Sequence, residues 1–249
     1  MSYNPFSLEG KTVLVTGASS GIGKSAAIEC SKMGARVVIT ARDETRLSQT
    51  YHELEGNNHQ MFLCDLSQEE SIDLMVSNIP EVQGLVNNAG FTKILPIPFI
   101  NSDELSAIFE VDTFAPILLL QKLLKKKKLR KGASVVFTSS LAGIGCCTVG
   151  NSMYSACKGA ISAFVKNAAL ELAPKSIRVN AVCPGMVDTG ILDSGTVTKE
   201  QMEADKKNYP LGRYGHPEDI AWAMIYLLSD ASTWVTGDNL IIDGGLTTK

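Results

Sequence analysis

Residues 11–35 read KTVLVTGASSGIGKSAAIECSKMGA, and the fold follows from how this stretch divides. Val13, Leu14 and Val15 form a continuous apolar run, which suits a strand covered on both faces. Gly17 stops the run, and Gly21 and Gly23 follow before small, helix-forming residues take over. A helix is expected from Gly21, closing at Gly34. A strand, a glycine turn and a helix in that order make a corner suited to a pyrophosphate. The tight turn needs glycine, the backbone must come close to the ligand, and the helix N-terminus offers free N–H groups and a positive dipole. The spacing here is G-x3-G-x-G, and such a turn taken alone is also compatible with a plain tight turn.

Working outward, the same alternation runs to the end of the chain. Further strands are expected at 36–40, 59–65, 83–90, 133–140, 177–185 and 239–245. Helices are expected at 44–55, over 67–79 with Ser67 and Glu70 at capping-box spacing, at roughly 102–128, at 152–173, and at 216–230 with Pro217 in the first turn. This pattern predicts an α/β fold: a Rossmann-like doubly wound sheet of about seven parallel strands with helices on both faces. No linker or repeat breaks residues 1–249, so one domain is expected, a cofactor half at about 1–140 and a catalytic helix with a substrate lid at about 140–249.

The chain has 249 residues, 45% hydrophobic and 20% charged, with a net charge of −3. That balance excludes a global attraction to nucleic acid or an anionic membrane, since the basic run from Lys125 to Lys131 is local. The start, MSYNPFSLEGK, lacks the features of a signal peptide, and no apolar run nears the ~18 residues of a membrane span, so a cytoplasmic protein is expected. Six cysteines and three histidines show no metal-ligand spacing, so no metal is expected and the thiols are read as reduced.

The tip of the second strand reads ITARDETR. An acid there would hold both ribose hydroxyls, whereas an arginine suits a 2′-phosphate. Ala41 is small and neutral, Arg42 has room to meet a phosphate, and Asp43 is placed to cap the next helix. NADP (NADPH) is therefore expected, with NAD as the alternative. Further on, MYSACKGA (153–160) puts Tyr154 and Lys158 one helical turn apart. An ammonium there favours the anionic form of a tyrosine, whose free hydroxyl titrates near pH ~10.

The chain resembles the short-chain dehydrogenase/reductase family over essentially its whole length. The resemblance rests on TGASSGIG (16–23), CDL (64–66), NNAG (87–90), TSS (138–140), YSACK (154–158), NAVCPGMVDT (180–189) and IIDGG (241–245). The later part looks most like 3-oxoacyl-[acyl-carrier-protein] reductases and relatives acting on sugars, polyols and steroids. The resemblance implies Tyr154 as catalytic acid/base, Lys158 as its partner and as a holder of the nicotinamide ribose, and Ser140, in preference to Ser139, as the group binding the substrate oxygen. It places Gly17, Ser19, Ser20, Gly21, Ile22 and Gly23 at the cofactor phosphates and Arg42 at the 2′-phosphate, although Ser20 stands where many NADP enzymes carry a basic residue. Asp65 and Leu66 match the adenine contact, and Asn87, Asn88, Ala89 and Gly90 the adenosine wall. Pro184, Gly185, Val187 and Thr189 match the turn at the nicotinamide carboxamide.

One position departs from the family: Asp112, in FEVDTFAP, stands where an asparagine links the lysine to a proton wire. Its charge would stabilise the ammonium of Lys158 and offset the effect of that lysine on Tyr154. The 13 residues between Ser140 and Tyr154 are about one more than many relatives have. Residues 190–213 are read as a substrate lid, and the run ending at Lys131, with Lys175, as a docking surface for an acidic carrier protein. The resemblance also implies a homotetramer. The expected activity is NADPH-dependent reduction of a carbonyl to a secondary alcohol, with a 3-oxoacyl thioester, free or on acyl carrier protein, as the leading substrate. The alternatives are a dehydrogenase of a sugar, polyol or steroid alcohol and, from another class, a non-catalytic cofactor-sensing scaffold.

Overall fold

Val13, Val15 and Leu14 of the first strand are fully buried, and they point into two different cores. That is the property expected of a strand in a sheet covered on both sides. The structure is a computed structural model that describes residues 3–189 and 198–248. Its strands are β1 Thr12–Thr16, β2 Arg36–Ala41, β3 Gln60–Leu63, β4 Val82–Asn87, β5 Leu129–Thr138, β6 Arg178–Pro184 and β7 Asn239–Ile242. They form one seven-stranded sheet in the order β3-β2-β1-β4-β5-β6-β7, and every pairing is parallel. The helices are α1 Gly21–Lys32, α2 Glu44–His52, α3 Glu69–Asn78, α4 Ser102–Phe109, α5 Ala115–Lys125, α6 Ser152–Leu172, α7 Lys199–Lys206 and α8 Pro217–Leu228.

Helices α3, α5 and α6 cover one face, where Leu85, Val135 and Phe137 meet Leu119 and Ile161. Helices α1, α2 and α8 cover the other, where Val15, Val86 and Val182 meet Ala26, Leu47 and Ile220. Strand order reverses between β1 and β4, so the crevice for a ligand opens at their carboxyl ends. Among the described residues no helix is long and apolar enough to cross a membrane.

The expected helix over 102–128 is interrupted. Between α4 and α5 the segment Glu110–Phe114 is π-helical, and the Ala115 N–H reaches back to the Glu110 carbonyl. Pro116 supplies the reason: it has no N–H to close an α-helical bond onto the Asp112 carbonyl. The capping box over Ser67 and Glu70 is absent. Gln68 precedes α3 without a side-chain cap, while Asp65 Oδ1 captures both the Ser67 N–H at 3.0 Å and the Ser67 hydroxyl at 2.8 Å. An aspartate two residues upstream is the stronger competitor for that serine. The basic run divides between the end of α5 and the start of β5, and most of it is exposed, with some of its charges paired at the surface. Lys126 meets Asp73, Lys128 donates to the Ile79 carbonyl, and Arg130 pairs with Glu81 at 2.6 Å.

Candidate active site

The glycine corner is built as a cradle. Gly17 has φ +65°, and a Cβ there would lie 2.8 Å from the Ala89 Cα, so the turn after β1 packs directly on the turn after β4. Ser20 precedes α1 without a side-chain cap, and no acid stands in the first turn. Free N–H groups at the positive end of a twelve-residue helix fit a pyrophosphate. Thr189 Cγ2 lies against Gly21, which brings the turn after β6 to the same corner. In that turn the Gly185 N–H donates to the Ile242 carbonyl at 2.9 Å, and buried Val187 bridges to Gly215. Of the expected lid over 190–213, residues 190–197 lie outside the described residues, and the remainder forms α7 and the turn that follows it.

At the tip of β2, Arg42 is exposed and makes no ion pair among the described residues. Asp43 caps α2, its Oδ1 accepting from the Arg46 N–H at 2.9 Å and its Oδ2 from Arg46 Nε at 2.7 Å. These two hydrogen bonds hold the Asp43 carboxylate below its usual range and leave it turned toward the helix. Asp65 is exposed beside half-buried Leu66.

The NNAG turn is tied to its neighbours by contacts that no local pattern announces. Thr16 Oγ1 accepts from the N–H groups of Asn88 and Ala89 at 2.9 and 3.1 Å. The Asn88 amide donates to the Thr16 carbonyl and accepts from Thr138 Oγ1 at 3.2 Å, so its side chain bridges β1 to β5. Both the backbone N–H and the side-chain amide of Asn88 are thus engaged by its neighbours. Asn87 is buried, and neither end of its amide has a partner among the described residues.

The acid–base candidates converge on Lys158. It lies on α6 one turn from Tyr154, with Nζ 5.5 Å from the tyrosine ring centroid, and is buried. Nζ donates to the Thr138 carbonyl at 3.0 Å and lies 3.1 Å from Asp112 Oδ1. The second contact is an ion pair without hydrogen-bond alignment, because Oδ1 accepts no hydrogen bond among the described residues. The other oxygen, Oδ2, accepts from the Phe91 N–H at 3.0 Å. Burial pushes the Asp112 carboxyl up against the pull of Lys158. Burial opposes the Lys158 ammonium too, yet the charges of Tyr154 and Asp112 raise it above the ordinary lysine value. Both groups therefore hold their protons more tightly than in water.

The end of β5 supplies the serines and separates their roles. Ser139 is buried, donating to the Lys158 carbonyl at 3.0 Å and sharing a hydrogen bond with Ser162 at 2.7 Å. Ser140 is half-buried, and among the described residues its hydroxyl accepts only the Ala142 N–H, at 3.2 Å. The turn after it presses onto α6, since a Cβ on Gly143 would sit 2.5 Å from the Lys158 carbonyl carbon. Only a glycine allows that approach, which brings Ser140 to the helix of Tyr154 and Lys158. The arrangement can hold a carbonyl oxygen between a hydroxyl donor and a phenol backed by a buried cation.

Sheet, cradle and buried cation together define a nucleotide-dependent oxidoreductase. The chain belongs to the short-chain dehydrogenase/reductase family, which uses nicotinamide cofactors: the family model described as enoyl-(acyl carrier protein) reductase matches residues 17–247. The 3-oxoacyl-[acyl-carrier-protein] reductase of Rickettsia bellii is 32% identical over 96% of this chain and 98% of its own. A tropinone reductase homolog of Arabidopsis thaliana is 32% identical over 97% of this chain and 95% of its own. The solved structure of a short-chain type dehydrogenase/reductase from Mycobacterium marinum superposes with a TM-score of 0.88 at 30% identity, covering 98% of both chains.

Proposed function

We propose that the protein is an NADPH-dependent reductase that converts a carbonyl to a secondary alcohol, with a 3-oxoacyl thioester as the leading substrate. The observation that carries the reading is Lys158, buried beneath Tyr154 and fixed at both its carbonyl and its ammonium by the end of β5. A lysine placed at random on a helix would be solvated; this one is held as a charge.

The cradle fits the cofactor expected of the family. The first turn of α1 would hold the pyrophosphate, exposed Arg42 the 2′-phosphate, and the turn from Pro184 to Thr189 the nicotinamide end. A nicotinamide held there would supply hydride to the carbonyl carbon. Tyr154 donates its phenolic proton to the carbonyl oxygen as that oxygen becomes an alcohol. Ser140 donates a hydrogen bond to the same oxygen and orients it. Lys158 stabilises the phenolate left behind, and Asp112 fixes the lysine in place. With Asp43 engaged by Arg46, exposed Arg42 is the charge set at the tip of β2 itself, which favours NADPH over NAD.

The thioester reading is supported by the likeness to 3-oxoacyl reductases over almost the full chain. A dehydrogenase of a sugar, polyol or steroid alcohol is the second reading, favoured for the sugar class by the likeness to a putative gluconate dehydrogenase structure. A homotetramer accords with exposed Phe114 and Leu170 on the helices, exposed Trp234 before the last strand and exposed Ile241 within it. The test is a spectrophotometric screen with NADPH and NADH in parallel against 3-oxoacyl thioesters, sugars, steroids and quinones. NADPH oxidation with a 3-oxoacyl thioester is expected; turnover confined to another class would replace the substrate assignment.

A further inference from the structure

Two tyrosines of the stretch YPLGRY, Tyr209 and Tyr214, are 6% and 5% exposed, and the chemistry above uses neither. Their rings meet edge to face, with centroids 5.4 Å apart and planes at 84°. A buried phenol keeps a hydrogen-bond partner, and these two hydroxyls reach different elements. The Tyr209 hydroxyl accepts the Met186 N–H at 3.3 Å, inside the turn from Pro184 to Thr189. Its ring lies against the same turn, since a Cβ on Gly185 would come 3.5 Å from Tyr209 Cε1. The Tyr214 hydroxyl donates to Asp205 Oδ2 at 2.8 Å, in the last turn of α7, with the Met202 carbonyl of that helix at 3.4 Å. Lys206 Nζ stands 5.5 Å from the Tyr214 ring centroid. Burial raises both phenols above the ordinary tyrosine value, so they serve as neutral hydrogen-bonding groups and not as a second acid–base pair.

We propose that Tyr209 and Tyr214 are positioning residues that brace the nicotinamide turn on Asp205 at the end of α7, a role that rests on the reductase reading above. Continuity is the first argument. The turn is joined to α7 by a hydrogen bond, a ring contact and a second hydrogen bond, in that order. The backbone beside Tyr214 holds the same geometry: the Gly215 N–H donates to the Met186 carbonyl at 2.9 Å, and the Asp188 N–H donates to the Gly215 carbonyl at 2.8 Å. The second argument is chemical. Phenylalanine at both positions would fill the same space, whereas a hydroxyl taken out of water adds direction, because its hydrogen bond fixes where turn and helix sit. Asp205 is itself exposed, so it can be changed without disturbing the core.

The test uses the intact chain with NADPH, read by fluorescence titration, and needs no turnover. Tyr209→Phe, Tyr214→Phe and Asp205→Ala should each raise the Kd for NADPH about fivefold, the effect of one lost hydrogen bond. The Asp205→Ala/Tyr214→Phe double variant should also show about fivefold, because both changes break one bond. With a carbonyl substrate, KM for NADPH should rise in step while kcat stays within about twofold. Trypsin gives a second readout, since each site must feel the other. NADPH should slow cleavage after Lys206 and Lys207 at least fivefold in the parent, and Asp205→Ala should reduce that protection below about twofold. Shifts in Kd without turnover of any carbonyl would keep the brace and discard the reductase reading. A Kd within about twofold of the parent in all three single variants, additive effects in the double variant, or cleavage that NADPH does not slow would overturn the brace and leave the reductase reading standing. A chain that binds neither NADPH nor NADH would overturn both.

Discussion

Lys158 Nζ and Asp112 Oδ1 lie 3.1 Å apart with their side chains 5% and 0% exposed, so the lysine beneath Tyr154 has a buried counter-charge. The π-helical turn produces this contact by setting Asp112 inward between the Phe91 N–H and the ammonium. A buried carboxylate beside a cation opposes the field that the cation projects onto its other neighbours.

Asp112→Asn keeps the shape and removes that opposition. In the alcohol-oxidising direction, where the phenolate acts as base, the rising limb of the pH–rate profile should move about one unit lower. A kcat/KM profile of both proteins checks this, and superimposable profiles would show that Asp112 does not tune the site.

The two serines should part company on substitution. Ser140→Ala is expected to lower kcat roughly a hundredfold with the fold intact, the cost of one lost donor to the reacting oxygen. Ser139→Ala should lose about 1 kcal/mol of stability and keep most of its turnover, because its hydroxyl ties Lys158 and Ser162 together. Steady-state kinetics with urea unfolding of both variants separates the cases.

Arg42→Ala should raise KM for NADPH roughly tenfold or more and leave KM for NADH nearly unchanged, since only the former carries a phosphate for the guanidinium. An equal effect on both cofactors would place the 2′-phosphate elsewhere.

Stability should depend on pH through Asp219, which accepts from Arg213 at 2.7 Å and from the His216 N–H at 2.7 Å. The Arg213 hydrogen bond holds its carboxyl below the usual value of 3.8. A depressed carboxylate contributes above its unfolded pKa and loses that contribution as pH falls through the folded one. Asp219→Asn should therefore be about 1 kcal/mol less stable at neutral pH, with the gap closing below pH ~4. Urea denaturation at both pH values measures it.

The doubly wound sheet was legible because parallel strands bury both faces and read as unbroken apolar runs, as VLV and VVIT do. The glycine cradle and the Tyr154–Lys158 spacing were legible for a related reason, since each is a local pattern with a local cause. What escaped was made by distance. The carbonyl of Thr138 and the hydroxyl of Ser139 hold Lys158 from about twenty residues upstream, and Thr16 reaches Asn88 across 72 positions. No sequence window contains either contact. The π turn at Asp112 has one local sign in the sequence, Pro116, which lies within the span expected as a single helix. The Ser67 capping box failed because Asp65, outside that four-residue pattern, competes for the same serine.

The central claim is that Tyr154 transfers the proton while the cradle binds the cofactor independently. Tyr154→Phe tests it most directly, read as NADPH-dependent turnover beside NADPH affinity by fluorescence titration. Turnover should fall at least ~100-fold with affinity within about twofold of the parent, since general acid catalysis is worth roughly that much or more. Turnover that persists in Tyr154→Phe would contradict the account.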